Sequence, residues 1–193
     1  LKTLPICYHG QASVIAALGL RERLRIEAIK EIQIDTYDIA VMMMGADPGR
    51  WAPATRETAD HSLPYCVAVA LLDGEVSAKS FAEERLHDPK VGALMKKIKV
   101  RDDAGLTAKY PQAVPGRVEI TMTSGELLSA EVEYPTGHAM NPMSDAEVET
   151  KFRSMFAGRA SAGQCDSLLK ALWSSEKIEN FGREVTDRLT LPA

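Results

Sequence analysis

The stretch that decides the fold runs from Pro53 to Gly74 and reads Pro-Ala-Thr-Arg-Glu-Thr-Ala-Asp-His-Ser-Leu-Pro-Tyr-Cys-Val-Ala-Val-Ala-Leu-Leu-Asp-Gly. Its second half, from Leu63 to Leu72, is built mostly of alanine, valine and leucine. An apolar run that ends at Asp-Gly predicts a buried helix, because glycine readily adopts the backbone conformation that stops a helix. Pro64 suits the first turn of such a helix.

Polar side chains crowd the start of this helix. Five of them fall within seven residues, namely Arg56, Glu57, Asp60, His61 and Ser62. Ser62 or Asp60 can cap the helix, but capping does not explain His61 or Arg56. A ligand at the helix entrance is the other reason to gather polar groups there.

The rest of the chain alternates between strand-like and helix-like patterns. Alternating residues predict strands at 28–37, 97–102, 117–123 and 126–134, the last two forming a hairpin. In the first strand, Ile32 and Ile34 lie on the inner face, and Glu31, Gln33 and Asp35 lie on the outer face. Helical spacing predicts helices at 11–24, 38–44, 80–85, 89–95, 144–156, 161–173 and 176–189, while residues 103–115 read as a loop.

This layout predicts an α+β fold. We expect a small sheet of about four strands, partly antiparallel and flanked by helices, with an all-helical C-terminal tail. The predicted domains are an α+β domain at 1–143 and a helical segment at 144–193. The tail follows the last strand, so its apolar stripe could be built for a surface outside this chain.

The bulk composition excludes several classes of protein. The 193 residues are 45% hydrophobic and 26% charged, which is ordinary for a globular protein. A net charge of −4 argues against a nucleic-acid partner, and no apolar run is long enough to span a membrane. Cys7, Cys66 and Cys165 are widely spaced and odd in number, which predicts a reducing compartment such as the cytoplasm. The chain starts without an initiator methionine or signal peptide, which leaves a longer parent protein open.

Two groups of residues could carry chemistry. Lys2, Cys7 and His9 put a cation, a thiol and an imidazole near one another, a set that could bind carboxylates and move a proton, or could simply be charges at a chain terminus. In Asp60-His61 a carboxylate lies beside an imidazole and could set its tautomer, although His61 could equally cap or pack. No group of residues has metal-ligand spacing, so we predict no metal.

Three stretches carry a resemblance to a known family. They are Lys2-Thr-Leu-Pro-Ile-Cys-Tyr-His-Gly-Gln11, Glu57-Thr-Ala-Asp-His-Ser-Leu-Pro-Tyr65 continuing to Leu71-Leu-Asp-Gly74, and Pro135-Thr-Gly137 with Asn141-Pro-Met143 and the helix containing Lys151-Phe152. Their order and spacing resemble the C-terminal portion of the MmgE/PrpD family, which includes 2-methylcitrate dehydratases. The resemblance extends over nearly the whole chain.

The resemblance implies a lid domain that closes over an active site shared with a large N-terminal helical domain. Members dehydrate 2-methylcitrate or similar acids, decarboxylate cis-aconitate or epimerise iminodisuccinate, without an iron–sulfur cluster. Such a chain would be the C-terminal part of a hydro-lyase of propionate catabolism. It would need no cofactor and would be inactive without the missing domain.

The resemblance also implies roles for individual residues. Lys2 matches the lysine that faces the substrate carboxylates, and His9 matches the histidine that dehydratases carry four residues after Pro5. Other members have a histidine where this chain has Cys7, which leaves the acid/base assignment open. Asp60-His61 matches the family's Asp-His or related pair, whose role is either to hold the domain junction or to support or bind the substrate. We extend the supporting or substrate-binding role to Cys7 and Gln11.

The implied partners are a small tricarboxylic or dicarboxylic acid and a second copy of the chain in a homodimer, with no nucleic acid and no membrane. The implied compartment is the cytoplasm, or the mitochondrial matrix in a eukaryote. Two alternatives stay open: an isomerase, epimerase or decarboxylase of the same family, and a non-catalytic module that binds a partner or dimerises through its helical tail.

Overall fold

The computed structural model describes residues 1–189. The chain forms two compact units, one from Leu1 to Pro142 and one that begins at Met143. The last four residues of the helical segment predicted at 144–193 lie outside the described residues. The reading of the two units as a lid domain and a segment that packs on a missing domain stays a prediction.

The first unit is a four-stranded sheet with helices, as predicted. The α-helices of the chain are α1 (Gln11–Leu20), α2 (Asp38–Met44), α3 (Arg56–Asp60), α4 (Leu63–Asp73), α5 (Glu83–Leu86), α6 (Pro89–Met95), α7 (Ala104–Thr107), α8 (Asp145–Phe156) and α9 (Ala162–Leu172). The strands are β1 (Ile29–Thr36), β2 (Ile98–Asp102), β3 (Gly116–Met122) and β4 (Leu127–Val132). The strand order is β2-β1-β3-β4, with β1 parallel to β2 and the other pairs antiparallel. The predicted fold class, including the helical C-terminal tail, is confirmed.

Helix α4 is the buried helix that the sequence predicted. The hydroxyl of Ser62 accepts a hydrogen bond from the backbone N–H of Tyr65 at 3.2 Å, so Ser62 rather than Asp60 is the cap. Gly74 ends the helix with φ at +74°, a left-handed conformation that residues with a Cβ atom rarely adopt. The helix packs against α1 and α6, and α1 in turn covers β3 and β4.

Five segments differ from the sequence prediction. One is the helix predicted at 80–85, which is divided into a tight turn at Ala78–Phe81 and α5 at Glu83–Leu86. The first helix stops at Leu20 and continues only as a tight turn, and the segment read as a loop at 103–115 contains α7, capped by Asp103. The short helix α3 lies where no helix was predicted. The predicted helix at 176–189 is broken into short turns, because side-chain oxygens of Asn180 and Glu184 take up backbone N–H groups there.

The second unit is helical. Both of its α-helices begin with a capping box, Ser144 with Glu147 for α8 and Ser161 with Gln164 for α9. An ion pair of 2.6 Å between Arg153 and Asp166 joins the two helices. Among the described residues, no helix is both long enough and apolar enough to cross a membrane.

Asp35 is not on an exposed face, contrary to the prediction from alternation. Only 1% of its surface is exposed, because Arg101 on β2 and Arg117 on β3 lie directly opposite it in the sheet register. The Arg101 Nε donates to one carboxylate oxygen at 2.6 Å and the Arg117 Nη2 donates to the other at 2.8 Å. The two arginine side chains cover the carboxylate, so the outer face of β1 is polar at Asp35 but is not exposed to solvent there.

Asp35 should make the stability of the fold depend on pH. Burial raises the pKa of its carboxyl, but the hydrogen bonds from Arg101 and Arg117 lower the pKa more, to below its ordinary value of 3.8. A group with a lowered pKa stabilises the fold above its unfolded pKa and loses that contribution as the pH falls through its folded pKa. We therefore expect this contribution to be complete at neutral pH and to disappear below about pH 4.

The measurement is urea unfolding at several pH values, with Asp35→Asn as the matched variant. The amide keeps the shape and loses the charge, so the variant should be less stable at neutral pH by about 1–3 kcal/mol. Its stability should also fall less steeply in acid than that of the parent. Equal slopes in the two proteins would show that Asp35 does not carry the effect.

Candidate active site

Hydrogen bonds to backbone carbonyl groups bring the three distinctive stretches of the sequence together. The N–H of Cys7 donates to the carbonyl of Asp60 at 3.0 Å, which joins the N-terminal segment to the end of α3. The hydroxyl of Thr3 donates to the carbonyl of Thr136 at 2.6 Å, which joins the same segment to the loop after β4. The N-terminal segment therefore lies between the Asp60-His61 turn and the loop at 135–143.

Lys2 and Gln11, at the two ends of this segment, form hydrogen bonds to its backbone. The ammonium of the exposed Lys2 donates to the carbonyl of Ile6 at 3.0 Å. Gln11 is 1% exposed, and its side-chain amide accepts from the N–H of Leu4 at 3.1 Å and donates to the carbonyl of Leu4 at 3.0 Å. Because these backbone groups occupy its amide, Gln11 shapes the segment that carries Lys2 and does not face a ligand.

His9 lies in a turn just before α1, next to two tyrosines. Its Nδ1 is 2.6 Å from the hydroxyl of the buried Tyr37, and its ring is tilted against the ring of Tyr110 with centroids 6.4 Å apart. Tyr37 and Tyr110 stack on each other with centroids 4.7 Å apart. The imidazole is half-buried and is held on one side by this aromatic pair.

His61 has a well-defined tautomer. Its Nδ1 contacts two acceptors, the carboxylate of Asp60 at very short range and the carbonyl of Glu57 at 3.2 Å. Neither acceptor has a proton to give when Asp60 is ionised, so Nδ1 must carry the proton. In the neutral ring Nε2 is then a proton acceptor, with a carboxylate behind the ring to stabilise positive charge.

The two imidazoles influence each other electrostatically. Burial lowers the pKa of His9, and the charge of His61 lowers it further. His9 is therefore held neutral near physiological pH. His9 offers a neutral imidazole and His61 a proton acceptor, which suits a substrate that loses a proton. Lys2, at the start of the same N-terminal segment, offers a cation for an anionic substrate.

The structure gathers four of the six candidate site residues in one neighbourhood: Cys7, His9, Asp60 and His61. Sequence reasoning missed Tyr37 and Tyr110. Tyr37 directly follows the first strand, where a large polar aromatic residue is a usable signal, whereas Tyr110 falls in a segment that was predicted to be a loop.

The part of the chain that the structure describes contains no candidate metal-binding site. No three side chains of histidine, cysteine, aspartate or glutamate are grouped there as a metal ion would require. The predicted absence of a metal or cofactor remains a prediction.

Comparisons with known proteins agree with the resemblance drawn from the sequence. The family model described as the MmgE/PrpD C-terminal domain matches residues 4–175. The chain is 28% identical over 190 residues to the mitochondrial 2-methylcitrate dehydratase of Yarrowia lipolytica, covering 93% of this chain and 36% of that protein. It is 30% identical over 147 residues to the 2-methylcitrate dehydratase of Salmonella typhimurium, covering 71% of this chain and 30% of that protein.

A third relative has a related name. It is a fungal alkylcitrate dehydratase, 30% identical over 165 residues, covering 79% of this chain and 32% of that protein. The chain thus spans about a third of the length of the curated relatives it matches.

Proposed function

Because the chain belongs to the MmgE/PrpD family, of which it carries the C-terminal domain, we propose that it is the C-terminal part of a hydro-lyase that dehydrates 2-methylcitrate or a related tricarboxylic acid. Two of the relatives described above are named 2-methylcitrate dehydratase and the third alkylcitrate dehydratase, which supports a citrate-like substrate. We further propose that the protein acts as a homodimer without a metal, in the cytoplasm or a mitochondrial matrix. Its three unpaired cysteines are compatible with either compartment.

The chemistry of the reaction fits the candidate groups. Dehydration removes a proton from carbon and expels a hydroxyl group as water, and the substrate carries three carboxylates. Cations must bind those carboxylates and stabilise the negative charge that grows as the proton leaves. We assign the cationic role to Lys2 and a share of the acid/base work to His9, with Cys7, Gln11, Asp60 and His61 in support.

The observation that carries this proposal is the hydrogen bond between Cys7 and Asp60. It draws His9 and His61, which are 52 positions apart in the sequence, into electrostatic contact beside the segment that bears Lys2. A purely structural junction does not require two imidazoles at the same place. We propose that the remaining substrate contacts come from a part of the full-length protein that corresponds to the unmatched part of the relatives.

The test compares the full-length protein with the chain of 193 residues. The full-length protein should convert 2-methylcitrate to its dehydrated product, whose double bond is followed by ultraviolet absorbance. The isolated chain should give no turnover, because it holds only part of the site. Turnover by the isolated chain would contradict the half-site proposal, and an inactive full-length protein would contradict the function.

The same assay separates the two alternatives. Loss of carbon dioxide from cis-aconitate, or epimerisation of iminodisuccinate, without dehydration of 2-methylcitrate would make the protein another member of the same family. A non-catalytic module would show none of these reactions. Light scattering on the purified protein would then report whether it dimerises.

A further inference from the structure

Among residues 1–189, Tyr37 is the one residue that holds the imidazole of His9 by a hydrogen bond. Its side chain is fully buried where β1 gives way to α2, and its hydroxyl lies 2.6 Å from Nδ1 of His9. In residues 1–189 this is the only hydrogen-bond partner of the hydroxyl. Stacking on Tyr110 fixes the ring plane, so the phenol cannot swing to another partner without moving both rings.

The direction of this hydrogen bond follows from what each group can donate. Burial raises the pKa of the Tyr37 phenol, and the negative charge that Tyr110, Cys7 and Tyr8 can carry raises it further, so the phenol keeps its proton. If Nδ1 of His9 donated instead, the phenolic proton would be buried without an acceptor, which is costly. The phenol therefore donates and Nδ1 accepts.

We propose that Tyr37 is a positioning residue that fixes His9 as the tautomer with its proton on Nε2, so that His9 serves as a hydrogen-bond donor to a carboxylate or hydroxyl oxygen of the substrate. This proposal rests on the proposed function for the identity of the substrate. It adds that His9 does not accept the proton that leaves carbon. That proton goes to a different group, and Nε2 of His61 is in the acceptor state that this step requires.

The surroundings of His9 are consistent with a neutral donor. Among the described residues, the titratable groups that act on His9 are Tyr37 and Tyr110 by ring contact and His61 from the end of α3, while Cys7 and Tyr8 act on Tyr37. None of these is a carboxylate that would draw a second proton onto the ring. Asp60 is hydrogen-bonded to His61, so its charge is directed at the other imidazole.

The tautomer is measurable by nitrogen NMR on the 193-residue chain labelled with [15N]histidine. The chain has four histidines, so each signal can be assigned by a single histidine-to-glutamine substitution. We expect His9 to show a protonated Nε2 and an unprotonated Nδ1 at neutral pH, and His61 to show the opposite pattern. A protonated Nδ1 on His9 in the parent protein would overturn the proposal without any variant.

The variant is Tyr37→Phe, with Tyr110→Phe as the matched control. Tyr37→Phe removes the donor and keeps the stack, so His9 should lose its single tautomer and its pKa should rise, since the bond favours the neutral ring. Tyr110→Phe also removes one hydroxyl from the stack, but that hydroxyl makes no hydrogen bond to His9, so both properties should stay as in the parent. Unchanged His9 signals in Tyr37→Phe would refute the positioning role.

Kinetics on the full-length protein separate this proposal from the proposed function. In Tyr37→Phe, kcat should fall about tenfold with KM little changed, and the pH profile of kcat should shift with the pKa of His9. If the full-length protein is inactive while the NMR pattern is as expected, the proposed function fails and the positioning of His9 stands. If turnover is normal and the pH profile does not move in Tyr37→Phe, the positioning role fails and the function stands.

Discussion

His9→Ala in the full-length protein is expected to lower kcat for the dehydration of 2-methylcitrate by about 10²- to 10⁴-fold. The substitution removes the imidazole that, under our proposal, donates to a substrate oxygen, and it opens a half-buried space beside Tyr37 and Tyr110. Because the lost interaction matters most as the hydroxyl leaves, the effect should fall on kcat more than on KM.

Lys2→Ala is the companion variant and should have a different kinetic signature. Losing the cation weakens the binding of a trianion in the ground state as well as in the transition state, so KM should rise while kcat also falls. We expect a combined loss of about 10²- to 10³-fold in kcat/KM. Raising the ionic strength should weaken substrate binding in the parent more than in the variant.

The controls for this pair are His87→Ala and Lys90→Ala, which remove an imidazole and an ammonium that are exposed and lie outside the candidate site. Both should retain parental turnover. If His9→Ala or Lys2→Ala behaves like its control, that residue has no part in the reaction and its assignment is wrong.

Gly116→Ala should be among the most destabilising small substitutions in the first unit. Gly116 begins β3, and a Cβ atom there would lie 2.3 Å from the hydroxyl oxygen and 2.6 Å from the backbone nitrogen of Ser13 on α1. The backbone contact cannot be relieved by a side-chain rotation, so helix and sheet must separate. We expect a loss of about 1–3 kcal/mol in the free energy of unfolding, measured by urea denaturation.

Gly19→Ala supplies a matched control on α1, the helix that packs against Gly116. Its Cβ would meet nothing within 4 Å, and the position is exposed. Alanine there should stabilise the protein by about 0.5–1 kcal/mol, because it favours helix more than glycine does. A double variant of Gly116→Ala with Ser13→Ala should recover only part of the loss, since the contact with the backbone of Ser13 remains. Equal effects of the two glycine substitutions would contradict the close packing of α1 on β3.

The sequence predicts those elements of the fold whose ends are marked by local chemistry. Helix α2 matches residue for residue because Gly45 follows it, and α6 does so because Asp88 caps it and Pro89 opens it. The four-residue helix α7 offers too few positions for a periodic pattern. The segment at 176–189 has helical spacing, but its polar side chains bond to the backbone and break the helix.

In the candidate site too, contacts between sequence neighbours could be predicted, and contacts between distant residues could not. Asp60 and His61 are neighbours in sequence, so the sequence alone indicates that they can form a contact. The bond between His9 and Tyr37 joins positions 28 apart, and it depends on how the end of β1 lies against the turn before α1. Likewise no local pattern marks Cys7 and Asp60 as partners, because backbone groups carry their bond. Such long-range contacts follow from packing and not from spacing.

Gln11 has a practical consequence for anyone who wishes to redesign substrate preference. Its buried amide hydrogen-bonds to both the N–H and the carbonyl of Leu4, as a neighbouring strand would. This one side chain therefore holds the bend that precedes Leu4 and carries Lys2. Exchanging Gln11 for a shorter or differently shaped residue would re-aim the ammonium without adding or removing a charge. Under the proposed function, Gln11 is therefore a position at which selectivity can be altered without changing a group that contacts the substrate.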